Sequence, residues 1–321
     1  MTKVLIITNT TDFTVDYVVR SLDNIQASYY RLNTDEIGIH VFLSFDFTED
    51  RYILYDKLRD ITFDILSFKS VYFRRPNLPS INDNGLSSDE KQFIGIEERQ
   101  ALEGLYKILR NAYWISDVDS IRRAENKIYQ QLIAKEIGFQ IASGIVTNHP
   151  EEFMRFCEAN KDCIIKPIYS GQIGWPEMKK VVYTNKLDNI PTPAQIEVCP
   201  NYVQQRLKKK FDIRVTVVDE TIFAVRIHSQ LNSETNTDWR VGENILKHEI
   251  IELPVTIKNQ CVALLKKLNL KFGAIDFVET EDNGYVFLEI NPNGQWAWIQ
   301  TQTGMPISDT IAKLLTDEHT A

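Results

Sequence analysis

Three groups of side chains in this 321-residue sequence have the types and spacing that chemistry on phosphates requires. The first lies in FGAIDFVETEDNGYVFLEINPNG, residues 272–294, which reads as two strands joined at Asp282, Asn283 and Gly284, a turn sequence suited to a hairpin. If residues 281–284 form the loop, Asp276 faces Glu289 directly across the ladder; if residues 283–284 alone form it, Asp276 faces Asn291. Either register sets Asp276, Glu289 and Asn291 on one face, because strand side chains alternate with period two. Two carboxylates and an amide oxygen on one face suit a hard divalent cation, above all Mg2+ bridging substrate phosphates. The competing reading is a solvated polar face. LEINPNG counts against it, since a Glu inside an apolar strand is costly unless paired or metal-bound.

The second group is a pair of lysines. Lys166 stands in CIIKPI, after three apolar residues and before a Pro, and YSGQIG with Gly171 and Gly174 follows. A strand lysine beside a glycine-containing loop can set an ammonium on a phosphate while backbone N–H groups wrap the same anion. Lys127, at the start of the IYQQLIA helix, is a second contact of the same kind. The Walker pattern GxxxxGK[ST] does not occur. A lone lysine is ordinarily a solvated surface residue, so these two gain meaning only jointly with the acidic hairpin.

The third group lies within residues 201–230. Residues 206–214 hold Arg206, Lys208, Lys209, Lys210 and Arg214 against the single acid Asp212. Lys208, Lys209 and Lys210 read as a solvated turn. Arg214, inside strand-like sequence, reads as part-buried and aimed at an anion. Arg240 in DWR stands beside an aromatic in a polar loop, a setting for a positioned guanidinium, and Arg74 and Arg75 close the strand VYFRRP. Nothing supports nucleophilic hydrolysis: the five His residues are dispersed and GxSxG is absent. The four Cys residues form no CxxC and read as buried free thiols in a reducing compartment.

The elements that must carry these groups divide the chain in three. Residues 1–118 read as an α/β unit: strand VLIITNT, a helix through Phe13, Tyr17 and Leu22, strand SVYFRRP stopped by Pro76, a helix with capping chemistry at Ser87 and Ser88, and strand YWIS. Residues 119–195 open with one helix, IRRAENKIYQQLIAKEIG, closed by Gly138; a strand follows, then a helix started at Asn148, His149 and Pro150. Residues 196–321 read as strands and hairpins. The class is therefore α/β and α+β, with no internal repeat. The length exceeds what a single core usually supports.

Composition is that of an ordinary globular protein, 43% hydrophobic and 25% charged. No stretch approaches the roughly 20 apolar residues of a membrane span, and the N-terminus is too short in apolar residues for a signal peptide, so the expected location is cytosolic with no membrane partner. The net charge of −8 argues against nucleic acid. That charge is unevenly spread: residues 276–289 carry five acids and no base, while residues 206–214 carry five bases and one acid. An acidic total therefore does not exclude an anionic partner; positive charge is concentrated rather than spread.

In this order the pieces resemble the three-domain ATP-grasp fold. The resemblance rests on Lys127 of ENKIYQQ, Lys166 of IIKP, the hinge-like VQQRL, DIRV, GAIDF and LEINPNG, and runs from residue 4 to about 315. More narrowly, VYFRRP, DWR, EINPNGQWAW and TGMPI resemble the microviridin-type (graspetide) peptide maturases, which are RimK-like ligases. The resemblance implies ATP and Mg2+, and a ribosomal precursor peptide with a leader and an acidic, Thr-rich core. It implies phosphorylation of a peptide Asp or Glu side chain, then displacement of phosphate by a Thr or Ser hydroxyl or a Lys amine. It further implies Mg2+ on Asp276, Glu289 and Asn291, the triphosphate under Lys127, Lys166, Gly171 and Gly174, and adenine against Gln204, Gln205, Arg206 and Leu207. The family's hinge carries a Gln-Glu-aromatic pattern where this chain has Gln204, Gln205 and Arg206; adenine is gripped there through backbone groups. Asp212 falls at the ribose or behind the site, Arg214 and Arg240 at the acyl phosphate, and Arg74 and Arg75 either at acidic peptide side chains or in a plain interdomain salt bridge. The leader is expected away from the chemistry, with residues 175–185 as a candidate strand edge, and the working form as a homodimer. The rival readings are a RimK-like amino-acid or glutamate ligase and a non-catalytic nucleotide-binding peptide scaffold.

Overall fold

The computed structural model describes residues 3–79, 85–169, 172–173, 180–231 and 246–317. β1 (Lys3–Thr8) buries Val4, Leu5, Ile6 and Ile7 completely, as a strand covered on both faces must. α1 (Phe13–Asn24), N-capped by Asp12, crosses over to β2 (Ser28–Asn33), which runs parallel to β1. An antiparallel meander follows, β3 (Val41–Asp46), β4 (Arg51–Asp56) and β5 (Ile61–Asp64), a sheet that the sequence reading did not assign. β6 (Ser70–Phe73) then pairs with the far side of β1. α2 (Ser88–Ile108) starts in a capping box in which Glu90 N–H donates to Ser87 Oγ (3.3 Å) and Ser87 N–H donates to Glu90 Oε2 (2.7 Å). It leads to β7 (Tyr113–Ile115), completing a parallel sheet ordered β2-β1-β6-β7.

The helix expected over residues 121–138 is two helices, α3 (Val118–Ala124) and α4 (Lys127–Ile137). The break has a local cause. Asn126 leaves helical geometry and its side chain accepts from Tyr129 N–H (3.0 Å), so it caps a new helix whose first residue is Lys127. Gly138, at φ +92°, ends that helix as expected. β8 (Gln140–Ile141), β9 (Gly144–Thr147), α5 (Pro150–Asn160) and β10 (Cys163–Lys166) come next. The short strands β11 (Gln172–Ile173), β12 (Lys180–Val181) and β13 (Asn185–Lys186), helix α6 (Pro193–Glu197) and β14 (Asn201–Gln205) follow. The chain then builds β15 (Lys209–Val218), β16 (Thr221–Ile227), β17 (His248–Ile250), α7 (Val255–Leu268), β18 (Phe272–Thr280) and β19 (Tyr285–Asn291). α8 (Ala297–Thr303) and α9 (Ile307–Thr316) finish it.

Two compact units result. One takes the residues up to 119 with 295–300 and those from 306 on; the other takes 120–294 and 301–305. In the first, α9 returns to the parallel sheet: Ser70 Oγ donates to Leu315 O (2.6 Å), and Ser21 Oγ of α1 donates to Asp309 Oδ1 (2.7 Å). In the second, a four-stranded antiparallel sheet ordered β13-β10-β14-β9 accompanies a six-stranded sheet ordered β17-β16-β15-β18-β19-β8. The core of the four-stranded sheet gathers Phe153 and Cys157 of α5, Cys163, Ile196 and Val203. Among the described residues no helix is long and apolar enough to cross a membrane.

Candidate active site

The acidic hairpin takes the register that sets Asp276 opposite Glu289. The turn around Asn283, at φ +62°, closes with Thr280 N–H donating to Gly284 O (2.9 Å) and Asn283 N–H to Thr280 O (2.9 Å). From the turn, Glu279, Val278 and Phe277 pair with Tyr285, Val286 and Phe287, a run that would bring Asp276 against Leu288. A β-bulge between Asp276 and Phe277 absorbs one residue of β19, and Glu289 arrives opposite Asp276 instead. Asn291, two residues on, shares the face of Glu289.

Arg214 of β15 is directly opposite Asp276 on the other side of β18, so Arg214, Asp276 and Glu289 form a row across three neighbouring strands. Arg214 Nη1 donates to both Asp276 oxygens, at 2.8 and 3.0 Å. Lys127 Nζ is 3.0 Å from Glu289 Oε2 and donates to Pro167 O (3.1 Å), so one ammonium joins the end of the row to the end of β10. Asn291 Oδ1 accepts from Asn293 N–H (3.0 Å), which leaves the amide oxygen a second lone pair. The loop after β19 passes so close that a methyl at Gly294 would lie 2.4 Å from Ala274 Cβ and 2.8 Å from Arg214 Nη2. Only glycine lets the guanidinium keep its place.

Asp212 and Thr216 flank Arg214 on the same face and are buried with it. Asp212 is satisfied from within: Lys209 Nζ donates to both its oxygens (2.9 and 3.1 Å), and Ser229 Oγ donates to Oδ2. This places Asp212 behind Arg214. Thr216 Oγ1 is buried without a hydrogen-bond partner among the described residues.

The four-stranded sheet has two unlike faces. Cys163 and Val203 turn to the apolar core under α5. On the other face Lys166 stands opposite Tyr202, and Gln204 lies between Ile164 and Gly144. Lys166 Nζ sits over the Tyr202 ring, 4.4 Å from its centroid. Tyr202 is pushed up to about 12, first by burial and then by the charge of Glu289. Gln204 is 2% exposed, and its Oε1 has no hydrogen-bond partner among the described residues. A buried acceptor left unpaired costs about 1–3 kcal/mol, which a ligand donor would recover. Arg206, past the strand end, meets Asp162 at 3.5 Å; Gln205 is exposed and Leu207 half-buried.

One expectation needs correction. Arg74 is 1% exposed, with Nε 2.9 Å from Asp12 Oδ2 and Nη2 donating to Gln295 Oε1 (2.6 Å). Enclosed in this way it is part of the first unit's framework and out of reach of a peptide side chain. Arg75 is exposed, at φ +46°, with its carbonyl accepting from Asn9 Nδ2 (2.5 Å). Gly171, Gly174 and Arg240 lie outside the described residues, as do residues 175–179 of the candidate 175–185 strand edge. The sequence reading missed Tyr202 and Gln130, and Lys209, read there as part of a solvated turn, instead begins β15 with its side chain 10% exposed against Asp212. Tyr202 had a signal, its period-two spacing from Gln204; its meeting with Lys166 depends on strand pairing.

The donor set fits Mg2+ held jointly by protein and phosphates. Among the described residues no group of three or more His, Cys, Asp or Glu gathers to cage a metal. Two facing carboxylates and an amide oxygen are the sparse oxygen set that Mg2+ accepts when phosphates and water complete its octahedron.

The family model described as the MvdD pre-ATP grasp domain matches residues 3–122. The chain is similar over its full length to a solved RiPP-associated ATP-grasp ligase of Chryseobacterium gregarium, in complex with ADP and a leader and core peptide. The identity is 30%, the TM-score 0.91, and 100% of this chain and 98% of that one are covered. It is also similar to macrocyclase MdnC of Microcystis aeruginosa MRC bound with precursor peptide MdnA (25% identity, TM-score 0.85, 98% and 100% covered). Macrocyclase MdnB of the same organism gives 26% identity, TM-score 0.81, and 99% and 100% coverage. No curated protein matches the sequence.

Proposed function

The chain belongs to the RiPP-associated ATP-grasp ligases of the microviridin type, and from that premise we propose how its own residues share the work. The protein is an ADP-forming ligase that closes rings in a ribosomally made precursor peptide. In the first step a peptide Asp or Glu carboxylate attacks the γ-phosphorus of ATP, the bond to the bridging oxygen breaks, and ADP leaves. In the second, a Thr or Ser hydroxyl or a Lys amine attacks the acyl carbon, the carbon–oxygen bond to phosphate breaks, and phosphate leaves. The peptide loses one water per ring.

Such chemistry needs positioning and charge neutralisation more than covalent help. Asp276, Glu289 and Asn291 would hold Mg2+, which when bound neutralises charge on the β- and γ-phosphates. Lys127 and Lys166 face the α/β side, with Gly171 and Gly174 in the loop over the triphosphate. Residues 204–207 line the adenine slot, where Gln204 Oε1 is the acceptor for an exocyclic amino group. Arg214, backed by Asp212, and Arg240 stabilise the acyl phosphate and its oxyanion; Arg75 is the remaining candidate for acidic peptide side chains. The proposed domains are 1–118, 119–195 and 196–321, and the proposed working form is a cytosolic homodimer, with solution mass as the check.

The observation that carries this reading is the row Arg214, Asp276 and Glu289 on one sheet face, closed by Lys127 of α4, which sets two facing carboxylates between two cations. Its test is mass spectrometry of a leader-bearing peptide with a Thr- and Glu/Asp-rich core, incubated with enzyme and Mg-ATP. The expected result is a loss of one water per ring with matching ADP release. A gain of one residue's mass would point instead to amino-acid ligation, and binding of nucleotide without turnover to a scaffold. Ring closure that survives combined Asp276→Ala and Glu289→Ala substitution would overturn the metal site.

A further inference from the structure

β19 has a strand partner on its outer edge only as far as Phe287, where pairing with β8 ends. Beyond it Leu288 and Ile290, which alternate with Glu289 and Asn291, would turn unpaired main-chain groups to that edge, and buried main-chain groups do not stay unpaired. Two glutamines of α4 replace the missing strand. Gln131 Nε2 donates to Leu288 O (2.7 Å). Gln130, 2% exposed, donates from Nε2 to Ile290 O (2.8 Å) and accepts at Oε1 from Ile290 N–H (3.1 Å). Its second Nε2 hydrogen goes to Ala124 O (2.6 Å), at the end of α3.

A primary amide offers C=O and N–H side by side, as a peptide unit does, and Gln130 uses both on one residue of β19. Every polar atom of its amide is thereby committed to main chain. Lys127, which holds Glu289, stands one helical turn earlier on the same helix. The strand end bearing Glu289 and Asn291 is thus tied to α4 by three residues, once through a charged side chain and twice through backbone.

We propose that Gln130 is a positioning residue for the Mg-nucleotide site, fixing Glu289 and Asn291 against Lys127 by standing in for a strand along the outer edge of β19. The inference rests on the metal reading of Asp276, Glu289 and Asn291 given above. Gln130 touches neither substrate nor metal. Glutamate is no substitute at neutral pH, because an ionised carboxylate donates nothing and would face two carbonyl oxygens. Once protonated it regains one donor.

The test measures Mn2+ affinity for the protein–ADP complex by electron paramagnetic resonance, and ADP affinity in EDTA by calorimetry, on the full chain. Gln130→Ala is expected to weaken Mn2+ roughly tenfold, with metal-free ADP affinity within about twofold of the parent. Gln130→Glu should show the same loss at pH 8 and recover part of it, relative to the parent, at pH 6; this variant carries the test if Gln130→Ala does not fold. Mn2+ affinity unchanged in either folded variant would overturn the inference alone, as would equal losses with and without metal. A parent protein that binds no Mn2+ with ADP would overturn the metal reading, and the inference with it.

Discussion

Each unit of this protein buries an arginine against an aspartate, and the two pairs have different surroundings. In the first unit Arg74 and Asp12 are 1% and 4% exposed. Uncharged groups join them: Gln295 on Arg74, held in turn by Thr14 Oγ1 (2.6 Å), and Thr8 Oγ1 on Asp12 (3.4 Å), with the wholly buried Trp296 pointing its Nε1 at Tyr72 Oη (3.4 Å) in the same unit. In the second unit Arg214 and Asp276 are 7% and 14% exposed, and the row continues through Lys127 and Glu289 at 17% and 22%. The first pair is complete in itself. The second belongs to a row of two carboxylates between two cations that grows more exposed toward Lys127 and Glu289, where the proposed Mg-nucleotide would exchange with one member. Burial beside an opposite charge does not mark a functional arginine; a neighbouring charge that can exchange partners does.

The sharpest way to break that distinction is Arg74→Ala. Leaving Asp12 charged and unpaired in the interior should cost about 3–5 kcal/mol in denaturant unfolding, while the protein that remains folded keeps its affinity for Mg-ADP. A loss of nucleotide affinity matching the loss of stability would erase the contrast. Gly294→Ala attacks the other pair. A methyl 2.4 Å from Ala274 Cβ and 2.8 Å from Arg214 Nη2 forces the guanidinium off Asp276. It should cost about 1–3 kcal/mol of stability and slow peptide-stimulated ADP release by roughly a hundredfold. Normal turnover in that variant would show that Arg214 need not stay where the loop holds it.

The smallest effect concerns Tyr202, which is pushed up to about 12. The folded state holds this proton more tightly than the unfolded chain does. The associated stability is therefore complete below about pH 10 and is lost as pH rises toward 12, at most roughly 3 kcal/mol. Unfolding midpoints measured across that range should fall less steeply for Tyr202→Phe. Identical slopes would detach Tyr202 from the charged row.

The acidic hairpin was legible because its turn sequence and flanking strands are local, although the turn pairs Glu279 with Tyr285, a register that would by itself set Asp276 against Leu288. The bulge that brings Glu289 opposite Asp276 was not, since it changes the count on one strand without a glycine or proline to mark it. Lys127 was found by its place at a helix start, yet Asn126, which creates that start by capping, was read as helix interior. Arg74 keeps the salt-bridge reading, made with Asp12 inside its own unit, and loses the peptide one, because what encloses it comes from elsewhere in the chain. A strand-end arginine reads as exposed until Gln295 and Trp296 arrive. The meander of β3, β4 and β5 holds none of the groups on which the sequence reading was built, and only strand pairing defines it.

That late arrival also orders events in time. Gln295 lies 221 residues beyond Arg74, and Leu315, which receives the Ser70 hydroxyl, 245 residues beyond its partner. At a ribosome adding roughly 5–20 residues per second, the first unit waits on the order of ten seconds or more for pieces that complete it. The second unit is contiguous up to residue 294 and has no such wait. The part of the molecule synthesised first is therefore the one whose folding must finish last.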